Sequence, residues 1–172
     1  MDADTVIERL RGEVEPGARE SMAHLGITTE HALGVRVPRL REIARELGGD
    51  HQLALDLWAS GIHEACLLAT LLADPGGVDG ALMEAWAADF DSWDLVDQAC
   101  ANLFWRAEPA WAKAVEWAGR DEPLVKRAGF VLMATLALHD ELVDDDAFAP
   151  FWALIDAAAD DPRERVRKGV GW

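Results

Sequence analysis

Trp93 and Asp97 stand four residues apart in the stretch SWDLVDQAC, residues 92–100. At 3.6 residues per helical turn they share one face, while Val96, Ala99, Cys100 and Leu103 form the adjoining apolar stripe. An indole and a carboxylate are therefore predicted side by side at the edge of a buried face. A fixed carboxylate can stabilise a developing positive charge and polarise a water, and an indole face adds a cation–π attraction of roughly 0.5–2 kcal/mol. The same pair also suits a helix start with a tolerated polar flank. What surrounds the pair decides between the two.

The elements that position these residues read as helices. Alanine and leucine dominate the apolar residues, tyrosine is absent, and no run of alternating β-branched residues suggests a strand. Turn signals at Gly48–Gly49, Ser60–Gly61, Asp74–Gly77, Glu108–Pro109, Asp121–Pro123 and Asp161–Pro162 divide the chain into about eleven helical segments. Short amphipathic helices are predicted at 38–47, 50–59, 62–73, 78–88, 92–106, 109–118, 123–138, 146–159 and 162–172. No stretch resembles a linker, so the 172 residues are read as one all-α domain, long enough to bury a core without disulfides or a metal. Cys66 and Cys100, each in a small-residue stretch, are predicted to be buried reduced thiols.

A weak repeat runs through these helices. Ile-His-Glu-Ala-Cys at 62–66, Val-Asp-Gln-Ala-Cys at 96–100, Val-Lys-Arg-Ala-Gly at 125–129 and Val-Arg-Lys-Gly-Val at 166–170 share one order: branched apolar, two polar, then small. Their steps of 34, 29 and 41 residues are close to the period of paired-helix solenoids. The pattern predicts an α-α superhelical repeat in which Ile62, Val96, Val125 and Val166 are buried at equivalent places. One helix of each pair would line a concave ligand face. The doublets on that face run from His63 and Glu64, through Asp97 and Gln98, to Lys126 and Arg127 and then Arg167 and Lys168. His63 with Glu64 is the doublet most expected to be solvated. Asp94 is expected to serve the helix start, and Trp58, Trp86, Trp111 and Trp117 to be packing residues.

Charge restricts the partners. With 16 basic and 32 acidic residues the formal net charge is −16, which opposes casual adhesion to nucleic acid. The local exceptions are Lys126 and Arg127, the only charges between Pro123 and Leu138, and the run RERVRK at 163–168. No apolar run approaches the ~18 residues of a membrane span. The opening MDADTVIERL has no basic, apolar signal pattern, so a cytoplasmic monomer away from membranes is expected. No Cys/His cluster has metal-ligand spacing and no Gly-rich loop follows a strand, so no metal and no cofactor are expected.

Five stretches carry a family likeness: GVRVPRLREIARELG (34–48), DHQLALDLWASGIHEA (50–65), DFDSWDLVDQACANLF (89–104), VKRAGFVLMATLALHD (125–140) and VRKGVGW (166–172). From about Gly34 to Trp172 the chain resembles the DNA alkylation repair family of AlkD-like, HEAT-like-repeat DNA glycosylases. Residues 1–33 carry little of the likeness. The resemblance implies a HEAT-like solenoid with DNA on its concave side. It also implies removal of cationic N3- and N7-alkylated purines from double-stranded DNA without base flipping.

By the same resemblance the catalytic aspartate falls on Asp97, with Trp93 beside it. Arg127 matches a backbone-contacting position, and Trp172 a second tryptophan that closes on the sugar. Lys126, Arg127, Arg167 and Lys168 would hold phosphates. An N7-alkylpurine already carries positive charge on the leaving group, so a carboxylate that stabilises the sugar cation suffices without a strong general acid. No lysine is placed for a Schiff base, so a monofunctional glycosylase without a lyase step is expected. The family pattern continues the last helix beyond the position of Trp172 with a further arginine one turn on. Two other readings stay open: Asp97 as the structural partner of Arg127, and a non-catalytic module that binds structured DNA or a protein.

Overall fold

The computed structural model describes residues 1–139 and 144–172; Asp140, the last residue of the 125–140 motif, lies outside them. Among the described residues there are eleven α-helices, three short 3-10 turns and no strand. The all-α expectation holds. The helices gather into two compact units, Met1–Gly77 and Val78–Trp172.

The first unit contains α1 (Ala3–Arg11), α2 (Ala18–His24), α3 (Val37–Leu47), α4 (His51–Ala59) and α5 (His63–Leu72). Asp2 and Asp50 cap α1 and α4, their carboxylates accepting from the Thr5 and Leu53 N–H groups at 2.9 and 3.0 Å. Helix α5 is buried along nearly its whole length and packs on α3 and α4. His63 and Glu64 are buried, not solvated as expected, with Glu64 at 0 % exposure. The reason is local. The Glu64 carboxylate accepts N–H bonds from Leu33, Gly34 and Val35 at 2.7, 2.7 and 3.2 Å, so three backbone donors replace its water.

The second unit contains α6 (Gly80–Ala88), α7 (Trp93–Asn102), α8 (Ala110–Ala118), α9 (Pro123–His139), α10 (Ala149–Ala158) and α11 (Glu164–Val170). The helix predicted over 92–106 breaks at Leu103, whose φ of −129° and ψ of −60° lead into a 3-10 turn at Phe104–Arg106. Phe104 then lies between the Trp86 and Trp117 rings, at centroid distances of 6.1 and 5.9 Å. These tryptophans and Trp58 are buried packing residues, and Trp111 stacks on Phe151. Helix α9 is the centre of the unit and packs on α7, α8 and α11. The approach of α8 is so close that a Cβ on Gly129 would lie 2.3 Å from the Ala118 amide nitrogen.

The small positions of the repeat are all buried: Ala65, Ala99, Ala128 and Gly169. Val96, Val125 and Val166 are buried as expected. Ile62 departs from the pattern. It is the extended N-cap of α5 and only half-buried, so its doublet opens a helix, whereas Val96, Val125 and Val166 lie inside theirs. Cys66 and Cys100 are buried thiols.

Candidate functional site

Asp97 and Arg127 face each other across the contact of α7 and α9. Arg127 donates from Nε to Oδ1 and from Nη2 to Oδ2 of Asp97, each at 2.8 Å, and from Nη1 to the Arg165 carbonyl at 2.8 Å. This is the fork-on-carboxylate geometry that makes arginine–carboxylate pairs strong and directional. Both residues are buried, Asp97 at 5 % and Arg127 at 4 % exposure. The half-buried Trp93 ring completes the cluster, with the Arg127 Cζ 5.8 Å from its centroid.

Burial pushes the Asp97 carboxyl above its ordinary range, against the hydrogen bonds and charge of Arg127, and the charge of Asp94 adds to the rise. Burial also holds the Cys100 thiol well above its usual value, with the charge of Asp97 adding to it. A thiol so protonated is a poor nucleophile. Asp94 lies in the first turn of α7, where the helix dipole favours a carboxylate. Ser92 is the N-cap of α7 by backbone, yet its buried Oγ makes no capping bond.

The remaining expected residues surround α11. Lys126 Nζ is 3.6 Å from Asp161 Oδ2. Arg167 Nη1 donates to the Asp161 carbonyl at 3.0 Å, and Lys168 pairs with Glu164 at 2.8 Å on the exposed side of the helix. Gly169 gives α11 its approach to α9: a Cβ there would lie 3.0 Å from the Arg127 Cγ. Trp172 is 60 % exposed beyond the end of α11, its backbone N–H donating to the Gly169 carbonyl at 3.3 Å. Asp97, Trp93 and Arg127 are thus brought into one cluster. Lys126 and Arg167 meet at Asp161, while Lys168 and Trp172 point to solvent.

Three participants were not anticipated. The Arg165 carbonyl, as a backbone group, leaves no mark in the residue types. Asp161 was visible only as part of a turn signal, and Arg163 only as a member of the basic run.

The profile of the family described as "DNA alkylation repair enzyme" matches residues 6–172. The chain belongs to this family. A solved structure described as "A new family of proteins related to the HEAT-like repeat DNA glycosylases with affinity for branched DNA structures" is similar at a TM-score of 0.87. Identity is 20 %, with 99 % of this chain and 73 % of that chain covered. The likeness gives the fold alone, a HEAT-like repeat. Comparison with curated proteins gave no match. In this member of the DNA alkylation repair family, the Trp93–Asp97 pair, Arg127 and the basic helix α11 all belong to the second unit. No helix among the described residues is long and apolar enough to cross a membrane.

Proposed function

We propose that this protein is a DNA glycosylase that hydrolyses the N-glycosidic bond of cationic N3- or N7-alkylated purines. The observation that carries the proposal is the buried Asp97 carboxylate, held rigid by Arg127 beside the Trp93 ring. In the reaction the C1′–N bond breaks and its electron pair neutralises the positive purine. A water oxygen then bonds to C1′ and releases a proton. Asp97 stabilises the sugar cation and orients that water, and Trp93 offers its π face to the same charge. A carboxylate has about four lone-pair positions, of which the Arg127 fork takes two, so Asp97 can keep its partner and still accept from water. The chemistry asks for no metal or cofactor. Trp172, exposed at the end of α11, would close on the sugar, and Lys126, Arg127, Arg167 and Lys168 would hold the backbone.

The test is base release from duplexes carrying N7-methylguanine or 3-methyladenine under single-turnover conditions. Release by the wild-type protein is expected. Tight duplex binding without any release would defeat the enzyme proposal.

A second reading has its own support. Both Asp97 oxygens are engaged by Arg127, and the solved relative is described as having affinity for branched DNA. In that case the cluster is a structural brace and the protein grips DNA without chemistry. Preference for a four-way junction over a duplex, with no base release from either, would select it.

A further inference from the structure

Asp161 precedes α11, and its side chain is only 7 % exposed. Its carboxylate accepts from Arg163 Nε and Nη2 at 2.8 and 2.6 Å and from the Arg163 backbone N–H at 2.9 Å. The remaining fork nitrogen of Arg163, Nη1, donates to the Asp121 carbonyl at 2.6 Å, which ties the turn before α11 to the turn before α9. Lys126 brings its ammonium from α9 to the same carboxylate, and Arg167 brings its guanidinium from α11 to the Asp161 carbonyl. Lys126 and Arg163 therefore converge on one carboxylate, and Arg167 reaches the backbone carbonyl of the same residue, in a chain of net charge −16.

The contacts differ in kind. Arg163 is fixed by a two-pronged, charge-assisted bond, and this holds the Asp161 carboxyl far below the usual carboxylate range. Lys126 at 3.6 Å feels the charge without a directed hydrogen bond, so its N–H donors remain available to another acceptor. Arg167 is exposed and touches only carbonyl oxygens, at 3.0 and 3.5 Å, so its charge is not neutralised by these contacts. Charged, oriented and incompletely neutralised donors on two helices suit a phosphate diester.

We propose that Lys126, Arg163 and Arg167 form a site for one backbone phosphate of DNA, with Asp161 as the positioning carboxylate that holds the three like charges together. Arg163 thereby joins the DNA-contacting residues. The site rests on the DNA-binding part of the function proposed above. Lys126 stands next to Arg127, so this arm of the site lies on the helix that braces Asp97. Asp161 also sets an upper limit on the grip, because its charge opposes the phosphate.

The experiment follows binding of a fluorescein-labelled duplex and a four-way junction over a series of NaCl concentrations, for wild type and for Arg163→Gln, Lys126→Gln and Asp161→Asn. Arg163→Gln and Lys126→Gln are each expected to weaken binding and to make the slope of log K against log salt shallower by about one. Asp161→Asn keeps the size of the side chain and removes the opposing charge, so it is expected to melt lower yet steepen that slope. If wild type binds both DNAs and the Arg163 and Lys126 variants melt lower with unchanged slopes, the cluster is structural and the phosphate site is overturned. If wild type binds neither DNA, the DNA-binding proposal itself fails, and this site with it. Lys126→Gln keeps the test decisive should Arg163→Gln not fold.

Discussion

The carboxylate of Asp97 and the guanidinium of Arg127 form a two-pronged ion pair, 2.8 Å in each arm, inside the contact of α7 and α9. The family resemblance implied separate roles for these residues, one toward a sugar and one toward a phosphate, while their pairing was the alternative left open. The pair gives each residue a structural task that any DNA chemistry has to leave intact or exchange. Charge and stability at this site are therefore measurable on the same variants.

Asp97→Asn keeps the shape and removes the negative charge. Single-turnover excision is expected to fall by ~10²-fold or more while DNA affinity holds or rises. Thermal unfolding on the same sample should show a loss of roughly 3–5 kcal/mol, the usual cost of leaving a buried partner uncompensated. Excision that survives in the folded fraction would reduce Asp97 to a brace.

Arg127→Lys keeps the positive charge but loses the fork and the donor to the Arg165 carbonyl. Urea titration should therefore show clear destabilisation, and Arg127→Met should be worse, because it leaves the buried Asp97 carboxyl without its partner. Equal stability of Arg127→Met and wild type would mean that the pair contributes nothing net, as some buried pairs do.

Gly129→Ala tests the packing of α8 on α9. The added Cβ would lie 2.3 Å from the Ala118 nitrogen and 2.9 Å from the Ala114 oxygen, so the helices must part. A loss of ~1–3 kcal/mol or more is expected in thermal unfolding. Gly76→Ala, whose new Cβ would meet only the Asp74 carboxyl at ordinary distance, is the matched control.

Acid should unfold the protein through its arginine-paired carboxylates. Hydrogen bonds from Arg163, Arg120 and Arg39 hold Asp161, Glu122 and Glu13 below their ordinary values of 3.8, 4.5 and 4.5, Glu122 at about 2. The unfolded chain therefore takes up these protons first. Stability is present above the ordinary values and is lost as pH falls through and below them. Asp97 has the opposite sign, since its folded value is raised. A melting series from pH 6 to pH 2 should fall overall, and Asp161→Asn should flatten the fall. A flat wild-type series would refute the assignment.

Much of the second unit was legible in residue order. Proline, glycine and aspartate at the turns delimit the helices, and the 3.6-residue period alone sets Trp93 and Asp97 on one face of α7. Small residues at 65, 99, 128 and 169 marked buried contacts, because only a short side chain lets backbones approach. What stayed hidden depends on partners distant in the chain. Glu64 reads as a solvated charge until the N–H groups of residues 33–35 close on it. Ile62 matches the branched apolar pattern, but one turn decides whether such a residue opens a helix or fills it. Asp161 gathers its cations through a fold-level meeting of α9 and α11 that local spacing does not encode.

The Arg165 carbonyl has a wider consequence. It donates no charge, yet it occupies the third arm of the arginine that holds Asp97, so the last helix and the middle of α7 are joined by one unbroken relay of bonds. Whatever grips α11 more firmly in one state of the site than in another must, by thermodynamic reciprocity, be gripped more firmly in return when Asp97 is in that state. A ligand that binds α11 more tightly in one charge state of Asp97 would favour that charge state in return. Helix α11 is thereby tied, through one arginine, to a carboxylate it never touches.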